Sequence, residues 1–125
     1  MWMGQMNIHV AQSHQTLRDL ADSGCVAMFI GLESINQDSL TSVDKKNKVR
    51  AYEELIKRIY DHEIGIFAGL VVGMDYDDLS TFERTLDWCD KMGVAGAIWR
   101  ILTPYPKQNR IKQTLQERLS NFVYF

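Results

Sequence analysis

The chain has 125 residues, 46% of them hydrophobic and 24% charged, with a formal net charge of -2. This is the balance of one globular domain with a modest core. It argues against a nucleic-acid binder, since no basic run exceeds Lys45-Lys46, and against a membrane protein, since no apolar run reaches the roughly 18 to 20 residues a spanning helix needs.

The amino terminus shows neither a basic-plus-apolar leader nor an Arg-rich transit segment, so the expected compartment is the cytoplasm. Cys25 and Cys89 lie far apart and form no local metal-ligand spacing, which reads as two buried thiols. Two thiols also fall short of the three or four that an iron-sulfur cluster usually takes.

Along the chain, residues 5 to 11 (QMNIHVA) alternate polar and apolar, which predicts a strand with Gln5, Asn7 and His9 on one face. Ser13 is placed to cap a short helix that turns Leu17, Leu20 and Ala21 inward and stops at Gly24. Cys25 to Ile30 is a continuous apolar run, as in a parallel strand covered on both faces, and Glu33, Ser34 and Asn36 fall in the loop after it. From Asn47 to His62 the apolar residues Val49, Tyr52, Leu55, Ile56, Ile59 and Tyr60 recur at helical spacing.

Ile64 to Val72 predicts a third strand, which runs into Gly73 and the acidic loop MDYDD. Ser80 and Glu83 have capping-box spacing ahead of a helix presenting Phe82, Leu86, Cys89 and Met92, and Gly93 ends it. Val94 to Leu102 predicts a fourth strand, followed by TPYP and a segment from about Gln108 to Asn121 with helical character. The order is βαβαβαβ, whose crossovers make parallel, right-handed units.

In such folds ligands gather outside the carboxyl ends of the strands. The polar residues at those ends are Glu33, Ser34 and Asn36, then Asp75, Asp77 and Asp78, then Thr103, Pro104 and Tyr105. Asp77 and Asp78 serve either the dipole of the following helix or a ligand. Arg100, inside AGAIWRIL, needs a partner: either a carboxylate such as Glu33 or a ligand. Gln5, Asn7 and His9 are either an exposed edge or a cavity wall.

Four stretches, GQMNIHVA, SGCVAMFIGLESINQDSL, GIFAGLVVGMDYDD and ILTPYP, together resemble the latter half of the radical S-adenosylmethionine enzymes, in particular the branch often fused to a cobalamin-binding domain. The resemblance covers about residues 2 to 106, leaving 107 to 125 as a divergent segment. It implies a partial (β/α) barrel of about four parallel strands, with the cofactor lying across the strand ends. It further implies that Glu33, Ser34 and Asn36 lie near the ribose and methionyl portion of S-adenosylmethionine. Gly69, Val71 and Gly73 would line the adenine, matching a G-x-I-x-G strand with Val in place of Ile. Leu102, Thr103 and Pro104 would add backbone contacts, while Asn7, His9 and Arg100 are further candidates for ligand contact.

The family's C-x-x-x-C-x-x-C loop, which holds a 4Fe-4S cluster, has no counterpart in this sequence, and neither has its glycine-rich motif for the cofactor's amino group. The resulting expectation is the carboxyl-terminal part of a radical domain, holding no cluster itself and inert alone. A non-catalytic module that binds S-adenosylmethionine or a related nucleoside is the alternative, and a metal enzyme using DYDD as oxygen ligands is a third reading. Four parallel strands would leave two open sheet edges, which predicts self-association.

Overall fold

The computed structural model describes residues 1–103, and the expectations for Pro104 and for 107–125 lie outside the described residues. It contains four strands, β1 (Trp2–Met6), β2 (Cys25–Glu33), β3 (Gly65–Val72) and β4 (Gly96–Ile101). Between them lie α1 (His14–Asp22), α2 (Gln37–Ser42), α3 (Tyr52–Tyr60) and α4 (Thr81–Met92), with 3-10 turns at Ile8–Gln12 and Val49–Ala51. All neighbouring strands pair in parallel, and the sheet order is β1-β2-β3-β4.

Sequential parallel order has a geometric consequence. Each right-handed crossover steps in the same direction, so the connecting helices fall on one face of the sheet. Burial agrees with this. Met28, Ile30 and Leu32 of β2 and Ile66, Ala68 and Leu70 of β3 join Leu17, Leu55, Ile56, Ile59 and Cys89 in one core. Residues of the opposite phase, among them Phe29, Gly31, Phe67 and Gly69, stand outside that core and are half-buried. The α/β class with parallel strands and intervening helices is thus as expected. The described strands form an open sheet covered on one side; barrel closure is not shown.

Three local expectations are corrected. The first strand ends at Met6, because the Asn7 carboxamide oxygen accepts from the His9 amide at 2.9 Å and turns the chain into a 3-10 helix. There Ile8 and Ala11, three residues apart, both reach the core, so an alternation that suited a strand serves a tighter helix instead. Second, β2 continues through Glu33, which places that residue at the strand end rather than in the loop. Third, Ser80 makes no capping bond to α4; its hydroxyl donates to Asp78 Oδ1 at 2.7 Å.

Helix α4 is also rotated from its expected face. Thr81, Thr85 and Cys89 are buried, while Phe82 and Leu86 are exposed. Thr85 can sit inside because its hydroxyl donates to the Thr81 carbonyl at 2.7 Å, leaving its methyl for packing. Phe82 lies against Trp99 of β4, with ring centroids 4.5 Å apart.

Candidate functional site

The carboxyl end of β2 is held in an uncommon backbone conformation. Glu33 has φ 67°, in the left-handed region, and the Ser34 amide donates back to the Leu32 carbonyl at 2.9 Å. A three-residue turn about a positive φ is a rare, strained conformation that costs of order 1 to 3 kcal/mol and persists only where surroundings enforce it. The β2–β3 register shifts between Gly31 and Glu33, so Leu32 is skipped by the ladder.

The enforcing groups come from residues 45–52. The Tyr52 hydroxyl donates to the Leu32 carbonyl at 2.7 Å, and Asn47 Nδ2 donates to the Gly31 carbonyl at 3.2 Å and to Leu32 at 3.5 Å. Both side chains belong to buried residues. Gln37 clamps the segment, donating to the Asn47 carbonyl at 3.3 Å and accepting from the Val49 amide at 3.1 Å. Lys45 Nζ stands 3.0 Å from Glu33 Oε1, so the carboxylate is paired with Lys45 rather than with Arg100. Burial pushes the Tyr52 phenol up to about 12; Asn47 offsets this in part and the charge of Glu33 adds to it. Tyr52 therefore stays a hydrogen-bond donor across the ordinary pH range.

The next loop is held by carboxylates used as backbone anchors. Asp77 Oδ2 accepts from the amides of Gly73 and Met74 at 2.8 and 2.9 Å, and Oδ1 accepts from the buried Ser39 hydroxyl at 3.0 Å. Asp78 accepts from Ser80 and pairs with Arg84 at 3.3 Å; its pKa is lowered chiefly by the Ser80 hydroxyl. Asn36 caps α2, accepting from the Asp38 and Ser39 amides, and donates to the Tyr76 carbonyl at 3.2 Å. Among the described residues no group of three or more His, Cys, Asp or Glu side chains comes together to hold a metal ion.

On the open face, large and absent side chains alternate. Gly31 and Gly69 are register partners, as are Phe29 and Phe67, and Phe67 and Gly96. A Cβ on Gly69 would meet Phe29 Cζ at 2.8 Å, and one on Gly96 would meet Phe67 Cδ1 at 3.0 Å. Each ring therefore lies over a glycine of the next strand, which no other residue type would permit without a shift.

Met3, Gln5, Phe29, Phe67 and Ile98 bound an apolar cleft of about 400 Å³ on this face. Gln5 also opens onto a larger polar cleft of about 780 Å³, where Asn7, His9, Glu33, Lys45, Lys46 and Asn47 converge at the ends of β1 and β2.

The remaining expected residues are placed as follows. Asn7 and His9 are exposed at the cleft mouth, off the strand, with His9 beside Gln12 Nε2 at 3.2 Å. Ser34 is buried and its hydroxyl accepts from the Asn36 amide at 3.0 Å. Val71 is paired in register with Arg100, which is exposed on β4 and makes no ion pair or hydrogen bond among the described residues. Gly73 has φ 93° and lies against Leu102, whose amide donates to the Val72 carbonyl at 2.9 Å. The Thr103 hydroxyl donates to the Ile101 carbonyl at 3.0 Å. Sequence reasoning missed Lys45, Asn47 and Gln37; the buried Tyr52 hydroxyl, which needs a partner, was the signal available.

No protein-family model matches the chain. Two curated proteins do, both from Chlorobaculum tepidum. The chain is 27% identical over 122 residues to bacteriochlorophyllide d C-12(1)-methyltransferase, covering 97% of this chain and 26% of that protein. It is 25% identical over 103 residues to bacteriochlorophyllide d C-8(2)-methyltransferase, covering 81% of this chain and 23% of that protein. The chain thus spans about a quarter of the length of the relatives it matches.

These matches correct the identification as part of a radical S-adenosylmethionine iron-sulfur domain. The relatives are named for methyl transfer, and their names carry no radical or cluster chemistry. The 4Fe-4S cluster expected of the wider family goes with that correction. Among the described residues no helix is long and apolar enough to cross a membrane.

Proposed function

We propose that this chain forms one wall of the S-adenosylmethionine site of a methyltransferase. The observation that carries it is the similarity to two methyltransferases, which in one case runs through 97% of the chain. The residues at the strand ends suit the cofactor. Glu33 offers a half-buried carboxylate to ribose hydroxyls, with Ser34 next to it. Gly31, with Val71 and Gly73 beyond the Phe29 ring that covers Gly69, gives a flat base access to backbone groups. Leu102 and Thr103 border the same end of the sheet. Asn36 shapes this site as a cap, since its carboxamide is already spent on backbone groups.

When bound, S-adenosylmethionine supplies the methyl group; the chain's own residues bind it, orient it and keep one side of the site apolar. We propose that the open face, with Phe29 and Phe67 laid flat, receives a large planar apolar substrate of the sort the relatives' names give. Arg100, at the rim, would meet an acidic group on it. The sequential strand order and one-sided helices support a partial barrel that further strands complete; a doubly wound sheet would reverse its order at a switch point, and the described strands do not.

Calorimetric titration of the chain with S-adenosylmethionine and with S-adenosylhomocysteine tests this. Binding in the micromolar range, weakened about tenfold or more by Glu33→Ala, is expected when a charge-assisted hydrogen bond is lost. Absence of binding, or affinity unmoved by Glu33→Ala, would overturn it.

A further inference from the structure

We infer that Tyr52 and Asn47 are positioning residues for Glu33: their hydrogen bonds to the Gly31 and Leu32 carbonyls hold the strand end in the strained turn that aims the Glu33 carboxylate into the polar cleft. This rests on the proposed role of Glu33 in holding the cofactor.

The Leu32 carbonyl lies where the ladder skips a residue, so the sheet does not fix it. It accepts instead from Ser34 N, from the Tyr52 hydroxyl and, at longer range, from Asn47. Ser34 N closes the turn itself; the other two donors, together with the pairing of Glu33 to Leu70 of β3, tie that turn to the body of the protein. Tyr52 is 1% exposed and heads α3, whose Leu55, Ile56 and Ile59 are in the core, so its hydroxyl is a fixed point.

Asn47 is the second point, locked through its own carbonyl by Gln37. Lys45, two residues before Asn47, then meets the Glu33 carboxylate itself. One segment therefore sets both the backbone beneath Glu33 and the charge beside it. A left-handed glutamate released from these ties would relax toward ordinary extended geometry and swing its carboxylate away.

The test is a double-mutant cycle on S-adenosylmethionine affinity. Tyr52→Phe removes one oxygen and keeps the ring, and is expected to weaken binding about five- to tenfold, as for a buried hydrogen bond lost behind a charged group. In a Glu33→Ala background the same substitution should change affinity by less than about twofold, since coupled residues are non-additive. A structural role alone would move both backgrounds equally, and that result would overturn the inference. Asn47→Ser serves as the second variant should Tyr52→Phe fail to fold. Independently of any ligand, the Glu33 Cα and Cβ chemical shifts should leave the left-handed range in either variant. If the wild-type chain binds no S-adenosylmethionine the proposed function fails, while unchanged Glu33 shifts in both variants would sink the positioning role on its own.

Discussion

Asp77→Ala should be one of the more damaging single substitutions outside the hydrophobic core. The carboxylate joins three donors: the Gly73 and Met74 amides, which fold the turn after β3, and the Ser39 hydroxyl, which reaches across from α2. The Gly73 amide lies near solvent and regains water, so its loss costs about 0.5 to 1 kcal/mol, whereas Met74 is 4% exposed and its amide left unpaired costs about 1 to 3 kcal/mol. Ser39 is 0% exposed, and its hydroxyl would be left without an acceptor at about 1 to 3 kcal/mol. The sum is roughly 2.5 to 7 kcal/mol, which for a chain of this size lowers Tm by about 10 °C or more. Urea and thermal unfolding of Asp77→Ala, Ser39→Ala and the double variant measure it. About 1 to 3 kcal/mol of the damage should vanish in the Ser39→Ala background, because the orphaned hydroxyl is gone while the two amide bonds are still lost. A cost under about 1 kcal/mol, or one that is the same with and without Ser39, would refute the reasoning.

Two further outcomes are expected. The Tyr52 phenol ionises near 10 when unfolded and at about 12 when folded, so its share of stability is intact below pH 10 and lost as pH rises to 12. That is about 2 to 3 kcal/mol, and urea unfolding across this window should show an alkaline decline that Tyr52→Phe flattens. Cys25 and Cys89 are buried, and burial raises both thiols above their usual value. A disulfide reagent at about pH 8 should modify them slowly in the native chain and at once in denaturant; rapid labelling of either under native conditions contradicts their placement.

The second, third and fourth strands and the helix that holds Tyr52 to Tyr60 are legible because their signals are strong and local. The apolar run after Gly24 is a strand because both of its faces are needed, one for the core and one for the open surface. Gly93 ends α4 at φ 68°, where only glycine is unstrained. What failed to show were features decided by distant hydrogen bonds. Nothing in GLES announces that Glu33 adopts a positive φ, since the donors that enforce it sit at positions 47 and 52. Residues 37–42 did not read as a helix because only Leu40 is strongly apolar; the helix depends on Asn36 capping it and on Asp77 accepting from Ser39. The face of α4 differs from the expected one since two threonines with satisfied or anchored hydroxyls pack inside, while Leu86 stays exposed and Phe82 lies against Trp99 of β4.

The same distinction explains why the candidate site sits at one end of the sheet. The helix-facing residues Met28, Ile30, Leu32, Ile66, Ala68 and Leu70 are all large or filling and leave no room for a ligand. The other phase reads Phe29-Gly31-Glu33 on β2, Phe67-Gly69-Val71 on β3 and Gly96-Ile98-Arg100 on β4. On β2 and β3 each step toward the carboxyl end goes from ring to glycine to polar or short side chain, while β4 goes from glycine through Ile98 to Arg100. The rings fold down onto neighbouring glycines and make the surface flat and apolar at its centre, while Glu33 and Arg100 raise charge at its rim. Such a face would be a liability if only the fold were served, because it leaves aromatic surface open where helices could have been packed. An apolar floor ending in a few oriented polar groups is the form a small-molecule site takes, and the strain at Glu33 sits at that boundary.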